Sequence, residues 1–339
     1  MPSSIPDQSR KPGRFLWYLA GFIVLLAVLY TGGWYYLANQ LESRVATNLA
    51  AFKEKGIDAT CDNAGASGYP LRLGLDCTRV GWADPAKGLS ISAGSLRASA
   101  RVYDPMQIVS RIEGPASVEA AGISPVDVSW QTLVSSVRLD KPLPKHLSLD
   151  GDKIVITPRN AAAGTAPIAV VEGGKLAFTS ADPAMDVALS FEKLKIADNI
   201  VYERPLPELT GSADIELANG FALLGKPVRD ASVLRGQTGT LRNVDIGFAD
   251  GSGIAVSGPF SVGGDGRISG DFEVTMRNPE GVARAVRDVF PEAGNTISSV
   301  LQAMAFMPKD ENGAPTLPIT VKKGKMSVGF IRIGRLPSL

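Results

Sequence analysis

Between Phe15 and Ala38 the chain runs for 24 residues, FLWYLAGFIVLLAVLYTGGWYYLA, without one charged side chain. A helix of that length crosses roughly 30 Å of hydrocarbon with some tilt. Such a helix is apolar on every face, which a soluble domain rarely buries over this length, so the segment reads as a membrane anchor. Arg10, Lys11 and Arg14 lie just ahead of it, and this positive charge places residues 1–14 in the cytoplasm as a short polar tail. Phe15, Trp17 and Tyr18 at one end, and Tyr30, Trp34, Tyr35 and Tyr36 at the other, sit where interfacial aromatic belts are expected. A cleaved signal peptide is the competing reading. Its apolar core would be about 7–15 residues and its cleavage site would need small residues, whereas Tyr36 and Leu37 precede Ala38.

About 300 residues follow the anchor, enough for one large domain or two of ordinary size. The 35 basic and 34 acidic residues are interspersed and no basic block stands out after residue 14, which argues against a nucleic-acid partner. With 36 glycines, 23 prolines and only 20% charged residues, the composition favours many short strands and turns. Cys61 and Cys77 both fall beyond the membrane. In an oxidising compartment they are expected to pair across 15 intervening residues, worth about 3 kcal/mol by loop entropy. Two neighbouring buried thiols are the alternative. Two cysteines and a single histidine, His146, make a poor zinc site.

After the anchor, residues 39–56 carry Leu41, Val45, Leu49 and Phe52 at helical spacing and end at Gly56, predicting an amphipathic stalk. The stalk is read as packing on the domain, with a position on the membrane surface as the alternative. Residues 57–339 form the β-rich domain. Leu71, Leu73 and Leu75, then Leu96, Ala98, Ala100 and Val102, alternate with polar residues. So do Met185, Val187, Leu189 and Phe191, and Ala213, Ile215 and Leu217. This is the pattern of antiparallel strands with one apolar and one wet face. Asp150-Gly151, Asp250-Gly251 and Asp265-Gly266 are turn signals. Residues 157–167 lack periodicity and mark either a linker between two β-rich halves or a long loop. A strand is predicted over Ile268–Met276, then a helix from Asn278-Pro279-Glu280 to just before Pro291. A second helix is predicted over 294–307, and two closing strands, 317–322 and 325–333, joined at Lys323-Gly324.

No constellation for catalysis stands out. GGDGRISG, residues 263–270, precedes a strand rather than a helix, so it reads as a hairpin turn and not a phosphate loop. His146 has no nucleophile or acid partner near it in sequence, and Asp182 with Asp186 has no spacing specific to glycosidases or metals. No cofactor is expected. A large antiparallel sheet must still bury its apolar face. It can curl on itself, stack on another sheet, be covered by helices from 278–307, or stay open as a groove for acyl chains. Val187, Leu189, Phe272 and Val274 are the candidate groove or core residues.

Gly68-Tyr69-Pro70-Leu71-Arg72-Leu73, leading to Cys77, resembles a motif near the start of an uncharacterised alphaproteobacterial family of membrane-anchored periplasmic proteins. Gly324-Lys325-Met326-Ser327-Val328-Gly329, followed by Ile333-Gly334-Arg335-Leu336-Pro337, resembles that family's C-terminal end. The resemblance spans roughly residues 40–339 and implies an envelope protein with no assigned activity. The strand texture is also similar to that of AsmA-type envelope proteins, whose sheets form lipid-lined grooves. Read from its residues, the first motif is a turn bracketed by Gly68 and Pro70. It sends Leu71, Leu73 and Leu75 into a core and leaves Tyr69 and Arg72 as surface contacts.

The sequence thus predicts a mainly β fold: large curved antiparallel sheets with a few covering helices, behind a single transmembrane helix. The expected setting is the inner membrane of a Gram-negative bacterium, with the bulk of the chain periplasmic. The expected role is non-enzymatic, binding a lipid or other amphiphile in a β-sheet groove. The alternative is an envelope scaffold with a closed core that recruits a protein partner.

Overall fold

The computed structural model describes residues 14–159, 165–197, 206–223, 231–289, 307–309 and 313–339. Residues 1–13 of the expected tail and 294–306 of the expected second helix lie outside them. α1 (Arg14–Glu54) is one helix of 41 residues, so anchor and stalk are continuous. It stops where Gly56 takes φ +78°, a left-handed conformation open to glycine, with its N–H bonded back to Lys53. The stripe expected from the stalk does pack. Trp34 and Ala38 are buried, Leu41, Val45 and Leu49 are half-buried, and the Phe52 ring meets Trp82 edge-on at 5.3 Å.

The rest is mainly β. β1 (Asp58–Asp62), β2 (Gly65–Ser67), β3 (Arg72–Cys77), β4 (Arg79–Asp84) and β5 (Leu89–Ala93) come first. β6 (Leu96–Arg101), β7 (Asp104–Ile112), β8 (Ala116–Ala120), β9 (Ile123–Ser129) and β10 (Thr132–Arg138) follow. β11 (His146–Pro158), β12 (Ala169–Ala181), β13 (Ala184–Ile196), β14 (Leu209–Leu217) and β15 (Thr238–Phe248) form the centre. β16 (Gly253–Val262), β17 (Ile268–Arg277), α2 (Pro279–Val289), β18 (Thr316–Lys322), β19 (Lys325–Val328) and β20 (Ile331–Arg335) end the chain. All twenty strands belong to one open antiparallel sheet, and from β11 to β20 each pairs with the next.

The first half forks. β11 pairs through His146–Asp152 with β10 and through Val155–Pro158 with β9. One limb then runs β10, β7, β6, β3, β2; the other runs β9, β8, β5, β4, β1. Consecutive strands such as β3 and β4, or β7 and β8, lie in different limbs and are joined by bends at Thr78 and Glu113–Pro115. The bend line is built from its own bonds. Gly94 donates to the Glu113 carbonyl, Glu113 to that of Ser95, and the Trp130 indole to that of Ile112 at 2.9 Å. Strands that pass from one sheet to another through a bend are how orthogonal corners are made.

The Cys61–Cys77 disulfide is formed, with Cα atoms 5.3 Å apart. It ties β1 in one limb to β3 in the other, and both cysteines lie on the limbs' apolar faces, in register with Val80 and Leu96. The edge strand β2 is shielded by α1, because Glu42 accepts the Ala66 N–H at 2.7 Å.

Three local expectations need correction. Asp150-Gly151 is no turn but the middle of β11. A Cβ on buried Gly151 would fall 2.9 Å from the Ile154 Cδ1, so glycine is there for packing. Residues 325–333 are not one strand but the hairpin β19–β20, turned at Gly329 with φ +57°. Leu71 does not enter a core; it is 64% exposed, and only Leu73 and Leu75 face inward. The aperiodic stretch at 157–167 joins β11 to β12, which pair with each other up to Ile156 and Ala169, so the sheet runs past it.

Candidate functional site

Strand register places the alternating residues of the whole sheet on common faces. One row begins at Leu75 on β3 and passes through Ala98, Ser110, Ser135, Leu149 and Leu176. It continues through Leu189, Ala213, Val244, Val256, Val274 and Leu317 on β18. A parallel row holds Leu73, Ala100, Ile108, Val137, Leu147, Phe178, Val187, Ile215 and Leu241. Twelve strands at about 4.8 Å spacing make this apolar face about 50 Å long.

The opposite face is polar. Arg242 on β15 reaches Asp186 at 2.5 Å, Glu216 at 2.9 Å and Asp214 at 3.0 Å, and these carboxylates hold its guanidinium pKa above the ordinary arginine value. Arg277 pairs with Asp245, and the Thr320 hydroxyl donates to Asp271.

Among the described residues the apolar face is closed at one border, half-buried over most of its length and exposed at a few positions. Met185, Leu217 and Leu223 form a buried cluster, with Phe178, Val187, Ile215, Val233, Leu234 and Phe260 against it. Four residues from Met185 along β13, Leu189 is 44% exposed, and Ile246 on the same face is 46% exposed. Of the four candidate groove or core residues, Val187 therefore joins the closed cluster, Leu189 lies open, and Phe272 and Val274 are half-buried on the same face. The Phe272 ring lies over Gly270, as Phe191 lies over Gly211 and Phe260 over Gly239. Each aromatic fills the width left by a strand glycine.

At its other end the face passes under the anchor. Leu29, Tyr30, Trp34, Leu37 and Leu41 of α1 face Leu73, Leu75, Ala98, Ala100 and Ile108 across an apolar cleft of about 710 Å³. Tyr69 and Arg72 contact α1 beside the residues that line the cleft. Tyr69 is 49% exposed, packs on Tyr35 and Trp34 and shares a 2.8 Å bond with the Thr31 hydroxyl; the Arg72 carbonyl accepts from the Trp34 indole at 2.9 Å. The pairing of the anchor with this motif was not foreseen from the sequence. The signal was there in Tyr30 and Trp34, one turn apart beside Gly33, a set of large and small residues that suits contact with protein as well as lipid.

The chemistry of the remaining side chains is modest. His146 is half-buried, with Nδ1 3.1 Å from the Thr179 hydroxyl. Among the described residues no three His, Cys, Asp or Glu side chains gather as a metal site. Gly263–Gly266 makes the β16–β17 turn, with φ +78° at Gly266. A face lined mainly by aliphatic and aromatic carbon can hold apolar matter.

A family profile described as an uncharacterized protein conserved in bacteria, DUF2125, matches residues 34–337. The chain belongs to this family. The DUF2125 match begins at Trp34, near the C-terminal end of the apolar run, and covers both motifs that suggested an uncharacterised family. It therefore takes in Tyr69 and Arg72, both limbs and the whole apolar face. No curated protein and no solved structure matches the chain.

Proposed function

We propose that this DUF2125 protein is a non-enzymatic, single-pass envelope protein that takes an acyl chain or similar amphiphile from the membrane onto the apolar face of its sheet. The positive residues ahead of the anchor support a cytoplasmic N-terminus and a periplasmic sheet. The observation that carries the reading is one largely apolar face, starting in the cleft beside α1, on which Leu189 and Ile246 stay nearly half exposed. Exposed apolar surface of this extent in a folded domain marks a binding surface.

The test is photocrosslinking in the intact chain. A photoreactive amino acid replaces Leu189 or Ile246, with Asp214 on the polar face as control, and adducts formed in the native membrane are analysed by mass spectrometry. Lipid adducts at Leu189 and Ile246 but not at Asp214 are the expected result. Absence of lipid at both apolar positions sinks the reading.

A second reading rests on β20. All its residues are exposed, it pairs only with β19 among the described residues, and Ile331 and Ile333 are 61% and 48% exposed. A partner protein could add a strand to this edge, recognised through backbone bonds and the two isoleucines. Protein rather than lipid adducts from a photoreactive residue at Ile333 would favour it.

A further inference from the structure

Three contacts set the height of the sheet against the anchor. The Tyr30 hydroxyl donates to the Pro70 carbonyl, the Thr31 and Tyr69 hydroxyls share a 2.8 Å bond, and the Trp34 indole donates to the Arg72 carbonyl. At 1.5 Å per residue, Tyr30 lies about 22 Å and Trp34 about 28 Å along the helix from Phe15. The hydrocarbon layer is about 30 Å thick. If Phe15 marks one boundary of that layer, the segment Tyr69–Arg72 meets the helix just short of the other, where acyl chains give way to headgroups.

The side chains at this level suit that position. The β6–β7 turn lies alongside, with Val102 N–H bonded to the Leu71 carbonyl at 3.0 Å. Leu71 is 64% exposed, Tyr103 73% and Met106 48%. On the polar face behind them, register sets Arg72 opposite Arg101, and Arg97 opposite Arg111. Like charges directly opposite on a sheet repel and weaken the pairing; Arg97 is also in register with Asp76 on its other side, and Arg101 with Asp104. Arg97 lies 3.9 Å from Glu113, while Arg101 stands 5.8 Å over the Tyr103 ring. The nearby Asp104 is engaged with Arg138 at 3.7 Å. Among the described residues Arg72 and Arg101 make no ion pair, and both line a cleft of about 200 Å³.

We propose that the tip formed by Tyr69–Leu71 and Val102–Met106 seats in the headgroup layer of the leaflet from which α1 emerges, with Arg72 and Arg101 binding the phosphates of anionic lipids. The aromatic rings occupy the interface, the aliphatic side chains reach the acyl boundary, and guanidinium groups take phosphate oxygens bidentately. The mouth of the cleft then opens into the leaflet. This inference rests on α1 spanning the bilayer, and stands whether or not the sheet holds a lipid.

The full chain is reconstituted in nanodiscs after labelling Leu71→Cys, Tyr103→Cys or, as a distant control, Phe330→Cys with an environment-sensitive fluorophore. Phe330 is 98% exposed at the β19–β20 turn. Lipids bearing a nitroxide on the headgroup should quench the labels at 71 and 103 and leave 330 unquenched. Equal quenching at all three positions overturns the proposal, as does protection of 71 and 103 only in discs that hold two chains. The arginines are tested with Arg72→Gln/Arg101→Gln in discs of phosphatidylcholine with or without phosphatidylglycerol. Quenching should rise with the anionic lipid for the native arginines and lose that rise in the variant. The same rise in both overturns their role, and its loss to millimolar inorganic phosphate assigns the site to a free anion. Crosslinking at Leu189 fails independently: quenched tip labels without lipid adducts refute the groove alone, and water-like tip labels with adducts refute the tip alone.

Discussion

Single residues decide how the alternation of apolar side chains maps onto the sheet. At Lys153 and Lys193 the backbone enters the left-handed region, with φ of +48° and +47°. Before Lys153 the apolar positions of β11 are odd, Leu147 and Leu149, and after it they are even, Ile154 and Ile156; Lys193 likewise separates Phe191 from Leu194. A reading by strict period two loses the face at such points. Charged residues act locally as well. A bond from Lys87 holds Asp84 below the ordinary carboxylate range, bonds from Ser117 and then Arg159 do so for Asp127, and the Ser252 hydroxyl and N–H, with Arg284, do so for Asp250. A carboxylate whose pKa is lowered by folding stabilises the fold above its unfolded pKa, near 3.9, and loses that contribution as pH falls toward the folded value. Thermal midpoints should therefore stay level from pH 7 to about 5 and fall below about 4. Asp127→Asn should lower the midpoint at pH 7 and flatten the acid decline. Circular dichroism melts across that range check both; an unchanged slope in the variant would remove Asp127 from the account.

At the level of elements, most of the strands were legible. The alternations around Leu73, Ala98, Val187, Ile215 and Val274 each fall in a strand, and Asn278-Pro279-Glu280 opens α2 as its capping chemistry requires. The fork was not legible. Its bends at Thr78, Gly94–Ser95 and Glu113–Pro115 span one to three residues and carry ordinary turn composition, indistinguishable in sequence from hairpins. Which strands pair across a bend depends on contacts far apart in the chain. The disulfide closes this region, with a sequence separation of 16 between its cysteines. Replacing both cysteines by serine should destabilise the protein by about 3 kcal/mol, seen as a lower denaturant midpoint with no change for the reduced wild type beyond the same value. A variant as stable as the oxidised protein would show that the bend-line bonds and α1 hold the limbs together without the disulfide.

The whole molecule is an open sheet with a small closed border. Few described side chains are fully buried, and Met185, Leu217 and Leu223 form a cluster of buried apolar residues among them. This contrast separates groove from core by experiment. Met185→Glu places an unpaired charge in the cluster and should cost several kcal/mol, enough to unfold the chain. Leu189→Glu, four residues along the same strand and face, should leave the thermal midpoint within a few degrees while abolishing lipid adducts at Ile246. Collapse of both variants would mean that Leu189 is core, and the open-face reading would fall. The sequence by itself pointed to a helix apolar and long enough to span a membrane, the β class, the pairing of Cys61 with Cys77 and the capped start of α2. Those follow from hydropathy, local periodicity and loop entropy, which act over short stretches of chain. Only the tertiary structure decided that alternations from twelve strands join in one face, that the face begins beneath the anchor, and that it stays uncovered at Leu189. Register between distant strands and the height of a helix against a sheet are set by long-range contacts that no local pattern records.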